Sequence, residues 1–363
     1  MKITKIFLSL FLGSLLITSC SSDDAPIKEL PSDYSKGIII ISSEGGFGNK
    51  DGSIAYVNSQ LSKLATNFVY TGENNAQLGG LIQSIAFSDT DAYIILNDVN
   101  TIIIADKTTF KKKSEITTGL KNPRYMTIIG DKGYVTNWGE GGNVTDDYVA
   151  IIDLKTNKIE TTTISLENGV EQILNKDHKL YVSHKGAWSS SNIISVVDLK
   201  ANNSVSKIIV KDNPDEMAFD NAGNLIVLSE GKPVYNADWS KVIDRTTSAI
   251  SFIDVSTKKV VKELAFPKME NASLMTYQNG NVYYYTGKDK KVHSINETAT
   301  KLTAENSVNV GSIYGMNVKQ NQLFTVEYAF KKLSKFKVFD INTKSEIYAS
   351  PVGLGASKIY FNN

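Results

Sequence analysis

The feature that most constrains this chain is a phrase that returns at a nearly regular interval. It is clearest at Tyr148-Val149-Ala150-Ile151-Ile152-Asp153-Leu154-Lys155-Thr156-Asn157-Lys158-Ile159: an apolar β-rich run, an Asx residue, a polar turn, and a Lys leading into another run. Copies centre on Asp198, Asp254 and Asp340, a weaker one surrounds Asp106, and Asn58 and Asn296 stand where the Asp would be. These seven Asx positions lie 42 to 56 residues apart. A period of about 40–50 residues with only β-type signal points to the blades of a propeller.

The Asx has a mechanical role. Its short side chain accepts hydrogen bonds from backbone N–H groups two residues on, closing a turn between antiparallel strands. These acids therefore read as turn caps, not catalytic groups. The runs before them are continuously apolar, as in Ile193-Ile194-Ser195-Val196-Val197. Strands covered on both faces by neighbouring blades read that way. The repeat fills residues 37–363 and predicts an all-β, seven-bladed β-propeller with four strands per blade. Blade 1 begins at its second strand, since only a polar stretch precedes residue 37, and its outermost strand is expected at residues 64–70. Residues 356–363 read as an innermost strand without a blade. The C-terminal strand is expected to complete blade 1 and close the ring.

Residues 1–19 carry Lys2 and Lys5, then an apolar stretch, and read as a secretory signal. The ending Leu16-Ile17-Thr18-Ser19-Cys20 resembles the lipobox of bacterial lipoproteins, which makes Cys20, the single cysteine of the chain, the expected lipidation site. Residues 20–36 follow as a polar, flexible tether with Asp23 and Asp24 just behind the cysteine. The formal net charge is only +1, from 39 basic and 38 acidic residues, so nucleic acid is not an expected partner. Contact with the membrane is expected through the lipid alone.

In a propeller, the loops between second and third strands and the junctions between blades ring one mouth of the channel. All three tryptophans, Trp138, Trp188 and Trp239, fall in such loops, in blades 3, 4 and 5. Trp is enriched at binding hot spots. The three rings are expected to form one aromatic wall of a ligand site, with Tyr235, Arg245 and His184 supplying hydrogen bonds. Phe47, Tyr328 and Phe330 would flank it from blades 1 and 7. Neither G-x-S-x-G nor H-E-x-x-H occurs, and no glycine-rich phosphate loop precedes a helix, so a binding protein is expected and not an enzyme. The loop acids Glu44, Asp51, Glu140, Asp146 and Glu230 match no known metal loop; no metal or cofactor is expected.

The phrases Tyr134-Val135-Thr136-Asn137, Tyr181-Val182-Ser183 and Val196-Val197-Asp198-Leu199 resemble those of the YncE-like seven-bladed propellers. With the lipobox and acidic tether, the chain is similar to surface propeller lipoproteins of Bacteroidota. Some of those capture vitamin B12 and pass it to a TonB-dependent transporter. The resemblance implies an outer-membrane, outward-facing binding protein for a cobalamin-like or other large small-molecule ligand, partnered by an outer-membrane transporter. The alternative is a protein–protein interaction or adhesion propeller with no small-molecule ligand.

Overall fold

Apolar runs with no solvent-facing position decide the architecture. In the strand Gly37–Ser42 every residue is buried, including four consecutive isoleucines. Such a strand is stable only between two covering layers. The computed structural model describes residues 30–44, 52–303 and 306–362 and arranges them as seven radial sheets. Blade 2 is typical, running outward through Ile82–Phe87, Asp91–Leu96, Thr101–Asp106 and Lys112–Ile116. All pairings between its strands are antiparallel. The core is a set of wedges between blades. Tyr134, Val149 and Ile151 of blade 3, for example, pack on Val170, Leu180 and Val182 of blade 4.

Every Asx residue of the repeat caps its turn. Oδ1 of Asn58, Asp106, Asp153, Asp198, Asp254, Asn296 and Asp340 each accepts a downstream backbone N–H at 2.7–3.1 Å.

The ring closes as the surplus strand required. Ala356–Asn362 pairs antiparallel with Gly37–Ser42, from Gly37↔Asn362 to Ser42↔Ala356, and forms the innermost strand of blade 1. Blade 1 then packs on both neighbours: Ile39, Ile41 and Ile54 meet Ile94 and Leu96 of blade 2, while Ile38, Ile40 and Val57 meet Phe324, Val326 and Phe336 of blade 7.

Three expectations about elements are corrected. Residues 64–70 do not form a fourth strand of blade 1. Thr66 makes a single bridge to Tyr56, and the chain then turns into the short helix Val69–Asn74. Leu64 is left 63% exposed, so a strand there would have had little to bury. In blade 3 the outermost strand is broken into Lys158–Ile159 and Ile164–Ser165. The anchored chain also begins before residue 37. Tyr34 is fully buried against Tyr56 and Phe110, its N–H donates to the Thr108 carbonyl, and its own carbonyl accepts from Asn362. Thr108 lies in the turn after the third strand of blade 2, so this anchor sits on the face opposite the interblade junctions. Cys20 and Phe47 lie outside the described residues.

Removing residues 356–363 should destabilise the whole ring and not merely fray one end. The cut takes away the buried Ala356 and Ile359 and the Phe361 ring packed against Phe324, and it reopens two sheet edges. At roughly 25 cal/mol per Å² of apolar area, that loss is comparable to the net stability of a domain. Thermal melting is the measurement; a truncated chain melting within about two degrees of full length would contradict the closure.

Candidate functional site

The innermost strands all carry an irregularity at the same height. Where they begin, at the mouth ringed by the blade junctions, their pairing with the second strand slips. The slips fall at Gln83, Arg124-Tyr125, Glu171-Gln172, Asp215-Glu216, Ser273, Tyr314 and Ser357. A β-bulge re-aims the side chains of the residues it accommodates. Here those residues, Gln172 apart, line a funnel of about 470 Å³ that opens on this face. In two blades the repeat's own phrase supports the bulge. The Thr136 hydroxyl accepts from the Tyr125 N–H at 3.0 Å and reaches the Glu171 carbonyl at 2.7 Å, and the Ser183 hydroxyl accepts from the Gln172 N–H at 3.1 Å.

The two sides of the funnel differ in chemistry. Blades 3 to 5 form a charged side stitched across blade boundaries. Arg124 forks onto Glu171, with Nη2–Oε1 at 2.6 Å and Nε–Oε2 at 3.1 Å. Lys185 bridges Asp215 at 2.6 Å and Glu230 at 3.0 Å, and Gln172 donates to Glu216 at 2.6 Å. Blades 7 and 1 contribute Tyr314, Phe330, Ser43, Ser357 and Lys358. Tyr314, Tyr328 and Phe330 make a three-ring cluster with centroids 5.1–5.3 Å apart, packed edge to face. The closing strand is reached through Gly355, whose φ is +62°, and a Cβ there would stand 2.3 Å from the Ser43 hydroxyl and 2.8 Å from Phe330. Only glycine passes this point without strain.

Below the funnel a second cavity of about 380 Å³ continues down the channel past Met126, Met217, Met275 and Met316. Tyr125, Glu216, Tyr314 and Lys358 border both spaces and form the waist, with the Lys358 ammonium 5.4 Å from the centre of the Tyr125 ring.

Enclosure and crowding set the protonation states. Burial, then the neighbouring Asp215, push the Glu216 carboxyl up to about 7. For Asp215 burial acts upward, but Lys185 outweighs it and holds the group below the usual carboxylate range. Burial lowers the Lys358 ammonium despite Glu216 and the other acids around it. Perturbed groups gathered in a concave space make the funnel the candidate functional site. Among the described residues, no group of three or more His, Cys, Asp or Glu side chains is placed to hold a metal ion.

The expected tryptophan wall is not what the fold builds. Trp138 lies half-buried with its ring 3.8 Å beneath the Arg124 guanidinium, so it supports the funnel from behind. Trp188 is 80% exposed and covers the neighbouring loop, where a Cβ at Gly141 would stand 3.1 Å from its indole. Trp239 is 76% exposed and pairs with Tyr235 at 5.5 Å on a separate hairpin, Pro233–Tyr235 with Val242–Arg245. His184 is fully buried at the end of a strand. Its Nδ1 meets the Asn168 carbonyl at 3.1 Å and its Nε2 the Ser195 hydroxyl at 2.8 Å. Burial lowers its pKa to about 4, which makes it a neutral structural group. Arg245 clamps the Glu230 and Gly231 carbonyls within its own loop. Of the residues expected at the site, Phe330 lines the funnel and Tyr328 touches it through Tyr314.

Residues 36–343 match the family described as "Domain of unknown function (DUF5074)". The chain belongs to this family. Comparison with curated proteins finds no match. Solved structures share the propeller fold of this DUF5074 chain at low identity. A candidate 6-phosphogluconolactonase of Bacteroides fragilis NCTC 9343 is 10% identical with a TM-score of 0.65, covering 91% of this chain and 99% of its own. A functionally unknown protein of Desulfotomaculum acetoxidans DSM 771 is 12% identical with a TM-score of 0.63, covering 90% and 98%. The dihydro-heme d1 dehydrogenase NirN in complex with DHE is 13% identical with a TM-score of 0.57, covering 92% and 76%. At these identities the likeness is one of fold alone.

Three single substitutions separate the roles of the tryptophans. Trp138→Ala removes packing and the support of Arg124 and should cost about 2–3 kcal/mol of stability. Trp188→Ala and Trp239→Ala, on exposed loops, should stay within about 0.5 kcal/mol of the parent. Denaturant melts of the three proteins check this; equal losses in all three would mean the exposed rings are structural.

Proposed function

We propose that this DUF5074 propeller is a lipid-anchored binding protein that captures a nutrient at the funnel and delivers it to an outer-membrane TonB-dependent transporter. The observation that carries the reading is the funnel itself. Every innermost strand contributes an irregular turn that aims side chains into one concave space, polar at the floor and aromatic at part of the rim. Its volume of about 470 Å³ falls in the range of roughly 300–1,000 Å³ usual for small-molecule sites. The rings of Tyr314, Tyr328 and Phe330 would take the apolar part of a ligand while its polar groups reach down into the funnel.

Polarity of the fold supports the membrane side of the proposal. Tyr34 fixes the incoming chain on the face opposite the funnel. An anchor at Cys20 on the outer leaflet would then approach from the face opposite the funnel, which favours a mouth turned away from the bilayer. We favour binding over catalysis because the charged groups on blades 3 to 5 are mostly spent on one another, which suits a rigid receptor. A second reading, a protein–protein or adhesion propeller, draws on the separate hairpin of blade 5, where Val234, Tyr235, Trp239 and Ile243 are all exposed.

Two experiments test the proposal. Ser273→Trp fills the funnel from its wall without touching an ion pair. A compound that raises the melting temperature of the parent, from a panel including corrinoids, haem, sugars and amino acids, should lose that effect in the variant while the variant's own melting point stays within a few degrees. Stabilisation of both proteins alike would place the site elsewhere. Cys20→Ser should move the protein from the detergent to the aqueous phase on partitioning, because multiple acyl chains hold a protein on a bilayer; unchanged partitioning would sink the lipid anchor.

A further inference from the structure

The hydrogen-bond pattern of the funnel wall leaves specific groups unused, and they lie on opposite sides. On blade 5, Asp215 is only 8% exposed; Lys185 takes its Oδ2, while Oδ1 is buried with no partner. Ser43, 9% exposed on the rim of blade 1, likewise has a buried hydroxyl without a partner. On the closing strand, the Lys358 ammonium has no carboxylate within ion-pair distance among the described residues; Glu216 acts on it from farther off, and the Tyr125 ring stands 5.4 Å away. Arg124 and Lys185, by contrast, are matched to Glu171 and to Asp215 with Glu230.

A buried acceptor without a donor is costly, and a desolvated charge held only by distant partners more so. A native wall retains such groups where a ligand completes them. The wall carries three cations, Arg124, Lys185 and Lys358, and four acids, Glu171, Asp215, Glu216 and Glu230. A ligand that bears both signs can meet a free acceptor on blade 5 and the ammonium on the closing strand at once; a simple anion or cation meets only one of them.

Resting on the funnel as the ligand site, we infer that it selects a small zwitterion of the amino-acid and short-peptide class. Its ammonium faces Asp215 and Glu216, its carboxylate faces Lys358, and an apolar side chain lies against Tyr314 and Phe330. Charge-assisted hydrogen bonds at both ends then replace the missing partners.

Calorimetry on the purified parent protein at pH 7.5 tests this with free amino acids and alanyl dipeptides, and with N-acetylated and C-amidated forms of whichever binds. Free forms should bind, and blocking either end should weaken binding at least tenfold. Lys358→Met, which removes an enclosed charge and so keeps the fold, should bind the free and amidated forms equally. Asp215→Asn should bind the free and acetylated forms equally. If maltose binds the parent but not Ser273→Trp while no zwitterion binds, the ligand class is overturned and the funnel stands. If zwitterions bind the parent and Ser273→Trp alike, the funnel falls as well. No binding by any zwitterion, or equal binding of free and blocked forms to the parent, overturns the inference.

Discussion

The structure depends on one pairing, that of the last strand with the first. Ala356–Asn362 hydrogen-bonds to Gly37–Ser42 and converts a row of stacked sheets into a ring. Without it blade 1 has no inner strand, and Phe324 of blade 7 and Phe87 of blade 2 lose the Phe361 and Tyr360 rings packed on them. Closure by strands distant in sequence removes the open edges that would otherwise seek a partner. The same strand carries Ser357 and Lys358 into the channel, so the element that closes the fold also completes the site. Stability and function share one segment, and Gly355 is the hinge through which the chain reaches it.

The funnel is an outcome of the repeat and not an addition to it. Each inner strand starts with a slip in register, and seven-fold repetition places seven slips at one height around the channel. The scaffold behind them is uniform: apolar second and third strands, with Thr136 or Ser183 receiving the extra N–H of the bulge. The bulged positions are free to differ, and they do, from Arg124-Tyr125 through Asp215-Glu216 to Ser357-Lys358. A regular propeller thereby acquires an irregular, chemically polarised pocket, to which the loops after the second strands add Ser43, Lys185, Glu230 and Phe330. The cross-blade ion pairs hold neighbouring blades in fixed relation, which keeps the pocket preformed.

Most of the fold was legible in the sequence because its signal is periodic. The Asx residues mark turns whose geometry is local, and the missing strand at one end matched the surplus at the other. What was not legible turned on tertiary detail. A two-against-one bulge depends on the partner strand and leaves no mark in a single strand's apolar pattern. Large rings in long loops suggest binding, yet Trp188 and Trp239 do not line the funnel; their loops reach it only through Lys185 and Glu230. His184 and Arg245 are polar residues near those rings in the sequence, but the first is spent on Asn168 and Ser195 at a strand end and the second on the carbonyls of its own loop. The available signal was charge where a propeller strand should be apolar. Arg124, Glu171, Asp215, Glu216 and Lys358 all stand two or three residues after an Asn or Gly that opens an innermost strand.

The central claim is that ligand enters among the bulged inner strands and not between the exposed tryptophan loops. A crystal structure of the protein with a stabilising compound bound tests it most directly. The account predicts ligand atoms within hydrogen-bond distance of Asp215 and Lys358, beneath Tyr314 and Phe330. Density seated only on Trp188 or on the Tyr235–Trp239 pair, with the funnel holding nothing but water, would contradict it.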